Sequence, residues 1–137
     1  MSLENLETVR AVLEAVNRWD AEGSLRYFDP DVELIPRRSA TEGSYRGHAG
    51  IVRFRADTLE MFDAFDVRYE VCELGDRVLW WGTVHVHGRG SDIETEIPLA
   101  SVVEFRNGKI SRWESFGSKA EALNAVGAEG VDDSNPG

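Results

Sequence analysis

Apolar residues at Leu6, Val9, Leu13 and Val16, with Val12 and Trp19 beside them, recur at spacings of three and four from about Ser2 to Asp20. That period predicts an amphipathic helix, with Glu4 and Glu7 near its positive end. After Glu22-Gly23, the stretch Ser24 to Phe28 reads as a short second helix, capped by Ser24 and ended by Asp29-Pro30. The period then drops to two. Val32, Leu34 and Pro36 alternate with Asp31, Glu33 and Arg37, which predicts a strand whose Pro36 marks an edge or an end. Residues 39 to 47, rich in Ser, Thr and Gly, read as a loop or short hairpin carrying Tyr45. A second long helix is expected from about His48 to Phe62, burying Ile51, Phe54, Leu59 and Phe62.

Period two governs the remainder: Asp66 to Leu74, Arg77 to Gly88, Ile93 to Arg106 and Lys109 to Phe116. Their separators, Gly75-Asp76, Gly88-Arg-Gly-Ser and Asn107-Gly108, are hairpin chemistry, so an antiparallel meander follows. A last short helix is expected at about Ser118 to Val126. No repeat or low-complexity run divides the chain, so residues 1–126 read as a single domain and 127–137 as a flexible acidic tail too rich in Gly and polar residues to pack. Helices first and a meander afterwards make an α+β fold with the helices on one face of a curved sheet.

Parity along the strands then assigns faces. In Ile93 to Arg106, Thr95, Ile97, Leu99, Ser101, Val103 and Phe105 are expected inward, and Glu94, Glu96, Pro98, Ala100, Val102 and Glu104 outward. In Arg77 to Gly88, Leu79, Trp81, Thr83, His85 and His87 are expected inward, leaving Val78, Trp80, Gly82, Val84 and Val86 outside. An outer face that apolar suggests a symmetric homodimer formed through it.

Composition narrows the partners. Over 137 residues, 15 Lys and Arg against 25 Asp and Glu leave a net charge of −10, which argues against nucleic acid and anionic membranes. The single cysteine, Cys72, has no intrachain partner, and the acidic start Met1-Ser-Leu-Glu is unlike a signal peptide, so a cytoplasmic protein is expected.

No nucleotide loop, dinucleotide-binding glycine pattern, nucleophile elbow or His-Glu-x-x-His motif is present, so no cofactor is expected. The informative residues are polar ones on positions taken as core-facing. His85 and His87 share a strand face, but a metal needs a third ligand and only the distant His48 remains, so no metal is expected. His85 reads either as a core histidine bonded to a neighbour or as a pocket base. Ser101 is either a filler bonded to the backbone or a hydroxyl donor to a ligand. Arg55 either reaches solvent or turns inward as an anion or carbonyl clamp. Trp19, Tyr45, Trp81, Thr83, Val103, Trp113 and Ser115 complete the expected wall of a small-molecule pocket, and Arg37-Arg38 and Asp132-Asp133 read as solvated charge.

The order of elements, with Tyr27-Phe-Asp-Pro-Asp-Val-Glu-Leu, Tyr45-Arg-Gly-His-Ala-Gly-Ile-Val-Arg-Phe, Val103-Glu-Phe-Arg-Asn-Gly-Lys-Ile-Ser-Arg-Trp and Lys119-Ala-Glu-Ala-Leu-Asn-Ala-Val-Gly, resembles the SnoaL-like and ketosteroid-isomerase-like branch of the nuclear-transport-factor-2-like superfamily over about residues 3 to 126. The resemblance implies a cystatin-like α+β barrel: a strongly bent sheet wrapped as a cone around the helices, with a pocket inside and dimers through the outer face. The steroid isomerases' carboxylate base, tyrosine and protonated acid fall on Pro36, Val12 and a position near Ser101, so their catalytic set is absent; a further tyrosine position matches Arg55. The epoxide hydrolases' Asp-Arg-Asp positions hold Thr83, His85 and Ser115. Two readings follow. One is a small apolar carbonyl or acid compound processed by cofactor-free proton transfer, as in an isomerase, cyclase or hydrolase, with His85 as base and Ser101 or Arg55 on the oxyanion. The other is a non-catalytic ligand-binding or dimerisation module.

Overall fold

A computed structural model describes residues 2–36 and 44–127. The expected solvated pair Arg37-Arg38, most of the predicted 39–47 loop, and residues 128–137 of the expected tail lie outside the described residues. Helix α1 spans Ser2–Asn17 and turns Val9, Val12, Leu13 and Ala15 inward, as its spacing requires. The short α2, Ala21–Ser24, runs into a 3₁₀ turn at Leu25–Tyr27. Its N-cap is Asp20, whose carboxylate accepts from Gly23 N–H at 2.9 Å; Ser24, taken from the sequence as the cap, is buried at the helix end.

Strand β1 (Phe28–Ile35) buries Phe28, Val32 and Leu34 and stops just before Pro36. The two-residue β2 (Tyr45–Arg46) leads directly into α3, Gly47–Met61. Then come β3 (Phe62–Leu74), β4 (Arg77–Gly88), β5 (Glu94–Arg106) and β6 (Lys109–Phe116), and finally α4, Lys119–Ala125, capped by Ser118. The sheet order is β2-β1-β6-β5-β4-β3, with β3 to β6 an antiparallel meander. Strand β1 pairs with β6 in parallel, which carries the chain's first strand to the far side of its last. The α+β architecture is as expected, with a mixed sheet curled over α1 and α3. Asn107 and Gly108 both have positive φ, 54° and 80°, the conformation a two-residue hairpin turn demands.

Strand β4 reverses the expected parity. Val78, Trp80, Val84 and Val86 are 1–3% exposed and belong to the main core beneath α1 and α3. Opposite them on β5 lie Val103, Ser101, Ile97 and Thr95, the face predicted inward for that strand. Leu79, Trp81, Thr83, His85 and His87 are therefore on the outer face. The physical reason is α4. It lays Ala122 and Leu123 over Leu79, Ala100 and Val102, with Trp81 and Phe116 packed beside them, so this end of β4 is apolar on both faces. Lys119 Nζ stands 4.1 Å from the centre of the Trp81 ring. The apolar residues offered as a dimer face are thus already covered: Trp80, Val84 and Val86 by the core, Ala100 and Val102 by α4. What remains of that face carries Arg68 paired with Asp66, and the two histidines.

Candidate functional site

Between α1, α3 and the inner face of the sheet lies a cavity of about 150 Å³. Its walls are Val12, Leu13, Val16 and Trp19 from the first helix and its end, Ile51, Phe54, Arg55 and Thr58 from α3, and Phe28, Leu34, Phe65, Val67, Trp80, Leu99, Trp113 and Ser115 from the strands. Asp20, Ser24 and Pro36 complete the lining. Large rings form much of its wall: Trp80 and Trp113 stand 6.3 Å apart, tilted at 55°, and Trp19 meets Phe65 edge-on at 6.2 Å and 71°. Such a wall, apolar with a few polar groups, suits a small organic ligand.

Most of those polar groups are already engaged. Thr58 Oγ1–H donates to the Phe54 carbonyl at 2.9 Å, one turn back in its own helix. Ser115 Oγ lies 2.8 Å from Ser101 Oγ, across the β5–β6 ladder where the two residues are directly paired. Asp20 is the one carboxylate in the lining among the described residues, exposed at the rim with its Oδ1 accepting from Gly23 N–H. The buried indole Nε1–H of Trp80 has no acceptor among the described residues. Arg55 donates from Nε and Nη2 to the carbonyl of Trp19, at 3.1 and 2.5 Å.

That carbonyl belongs to an unusual residue. Trp19 N–H bonds to Val16 O at 3.0 Å and Asp20 N–H to Ala15 O at 2.9 Å, the paired bonds of a Schellman helix end. The position between them requires left-handed backbone, and Trp19 occupies it with φ 60°. Glycine is the usual occupant, and an L side chain costs about 1–2 kcal/mol there. The indole this brings to the cavity and the Arg55 fork on the carbonyl hold the strained turn in place.

The expected site residues therefore divide. Trp19, Arg55, Trp113 and Ser115 come together in the lining. Ser101 and Val103 are wholly buried behind it, Ser101 touching the cavity only through Ser115. Tyr45 is buried against Phe54 at 5.3 Å with its hydroxyl on Asp57 at 2.5 Å, a supporting wall behind the lining. Trp81, Thr83 and His85 are corrected: they sit on the outer sheet face, because the strictly apolar set of β4 takes the core. His85 Nε2 is 2.9 Å from Glu94 Oε1, and His87 Nδ1 is 2.5 Å from Asp63 Oδ1. His48 donates to the Phe28 carbonyl at 2.9 Å. Among the described residues no group of three or more His, Cys, Asp or Glu side chains converges as metal ligands. Sequence reasoning missed Asp20, Trp80 and Thr58. The signal for Trp80 was present, since Val78, Trp80, Gly82, Val84 and Val86 form an alternating set without a polar side chain.

Comparison with known proteins gives one family and one fold. Residues 9–113 match the SnoaL-like domain family. An NTF2-like protein of unknown function from Burkholderia pseudomallei superposes with a TM-score of 0.76 at 25% identity, covering 88% of this chain and 95% of that one. TerC, co-crystallised with polyporic acid, gives a TM-score of 0.74 at 26% identity, covering 88% of this chain and 98% of that one. A candidate polyketide cyclase from Xanthomonas campestris pv. campestris gives 0.75 at 20% identity, over 91% and 98% of the two chains. No curated protein matches the chain.

Proposed function

This chain belongs to the SnoaL-like domain family, and on that premise we propose that it takes one small, mostly apolar organic molecule bearing an oxygen function into the cavity between α1, α3 and the sheet. The observation that carries this is the cavity wall itself: aromatic and aliphatic side chains from both helices and five strands, with Arg55, Ser115 and Asp20 as its polar points. The unpartnered N–H of Trp80 adds support, since an orphaned buried donor costs about 1–3 kcal/mol that an acceptor atom of a ligand would recover. TerC, 26% identical, was co-crystallised with polyporic acid, a small molecule, which is consistent with an occupant of this kind. Native mass spectrometry after gentle purification should show one small organic mass per chain. Titration with acetophenone should quench tryptophan emission, because Trp19, Trp80 and Trp113 all line the space. An empty protein whose emission acetophenone leaves unchanged would overturn the reading.

One observation favours chemistry beyond binding. Asp20 stands exposed at the rim of the apolar space, its carboxylate accepting from Gly23 N–H and its backbone following the carbonyl that Arg55 holds, and that juxtaposition suits cofactor-free proton transfer of the isomerase or cyclase type. With His85 on the outer face, Asp20 is the group to accept the proton and Arg55 the group to face the developing oxyanion. Deuterium exchange at the methyl carbon of acetophenone, followed by NMR, tests this. Asp20→Asn preserves the cap and should cut exchange by about 10²–10⁴-fold, whereas His85→Gln should leave it unchanged. Loss of exchange in His85→Gln, with Asp20→Asn active, would reverse the assignment.

A further inference from the structure

Among the described residues Arg55 is the only cation in the cavity lining, and no carboxylate pairs with it. It is half-buried on α3 among apolar walls. A guanidinium has five N–H donors, and two of them end on the Trp19 carbonyl, leaving three unspent. The two that are spent fix its plane, because the accepting carbonyl sits in a left-handed helix end locked by its own pair of backbone bonds. In a chain of net charge −10, four arginines among the described residues pair with carboxylates: Arg112 bonds Glu33 and Glu114, Arg46 reaches Glu33, and Arg106 and Arg68 pair with Asp29 and Asp66. Arg55, in the cavity lining, does not.

We propose that Arg55 is an anion receptor, that the occupant is an apolar organic acid carrying a single carboxylate, and that the Trp19 carbonyl is the positioning group that aims the fork. This rests on the reading of the cavity as a small-molecule site and commits it to acids over neutral carbonyl compounds. A cation desolvated by apolar walls and lacking a counter-ion gains most from a ligand that brings one. A planar fork with one edge tied to a carbonyl presents its other edge to two carboxylate oxygens. The cavity volume, about 150 Å³, matches a single-ring acid better than a larger one.

The test uses benzoate and benzamide, which share shape and differ in charge, titrated against the full chain by calorimetry and tryptophan emission. Benzoate should bind at least tenfold more tightly than benzamide. Arg55→Met should erase that ratio chiefly by weakening benzoate, and Arg55→Lys, which keeps the charge but not the fork, should retain part of it. Trp19→Gly keeps the carbonyl and suits the left-handed position, so it should weaken both probes alike with the ratio preserved. Equal affinity of wild-type protein for the two probes overturns the proposal and leaves the small-molecule reading standing. Failure of benzoate, benzamide and acetophenone alike to bind removes that reading, and this one with it.

Discussion

At the scale of single residues, the clearest electrostatic feature lies away from the cavity. The Tyr69 hydroxyl donates to Glu14 Oε2 at 2.6 Å, joining β3 to α1. Burial first, then that hydrogen bond and the charge of Glu14, push the phenol from 10.0 up to about 12. The folded state therefore favours the protonated phenol. Its contribution to stability is complete below the unfolded value near 10 and is lost as pH rises towards about 12. Denaturant melts across that window should show an alkaline loss of stability that is shallower in Tyr69→Phe; identical slopes would remove the link. Residue-level reading of the site went furthest where a side chain's type alone limits its use. Trp19, Arg55, Trp113 and Ser115 were legible as pocket residues, and all four line the cavity. Asp20 was not legible, because its place in the wall depends on the turn after α1 reversing the chain at Trp19, a residue with no sequence signature for left-handed backbone.

Among the elements, the tightest constraint is where β3 crosses β4. Gly82 pairs with Tyr69, and a Cβ on it would fall inside van der Waals contact of the Arg68 carbonyl and the Tyr69 Cα. Only glycine permits that approach, so Gly82→Ala should force the strands apart and cost about 1–3 kcal/mol or more, read by chemical denaturation. A neutral outcome would show that the two strands run further apart. Element positions were largely predictable, because caps and turns are local: Ser118 accepts from Glu121 N–H at 3.1 Å to open α4, and Asn107-Gly108 closes a hairpin. The face of β4 was not. Val78-Leu79-Trp80-Trp81 is a continuous apolar run, and period two cannot choose a side when both sides are covered. Helix α4 covers the second side, and that docking is a long-range fact.

For the molecule as a whole, the corrected face changes what one substitution does. Val84 is 3% exposed, opposite Val67 and Ile97 in the core. Val84→Glu should destabilise the fold by more than about 3 kcal/mol through an unpaired buried carboxylate. Denaturation and sedimentation of wild type and variant at matched concentration check this: dissociation without loss of stability would return Val84 to the outside. By itself the sequence determined the order of helices and strands, the α+β class, the hairpins and the family resemblance, because periodicity, caps and turn residues act within a few positions of the chain. Tertiary structure alone decided which face of β4 is buried, that His85 leaves the cavity for Glu94, and that Trp19, Asp20 and Arg55 meet at its wall. Those outcomes depend on which helix covers which side of the sheet and on contacts between residues 36 positions apart, and no local pattern encodes either.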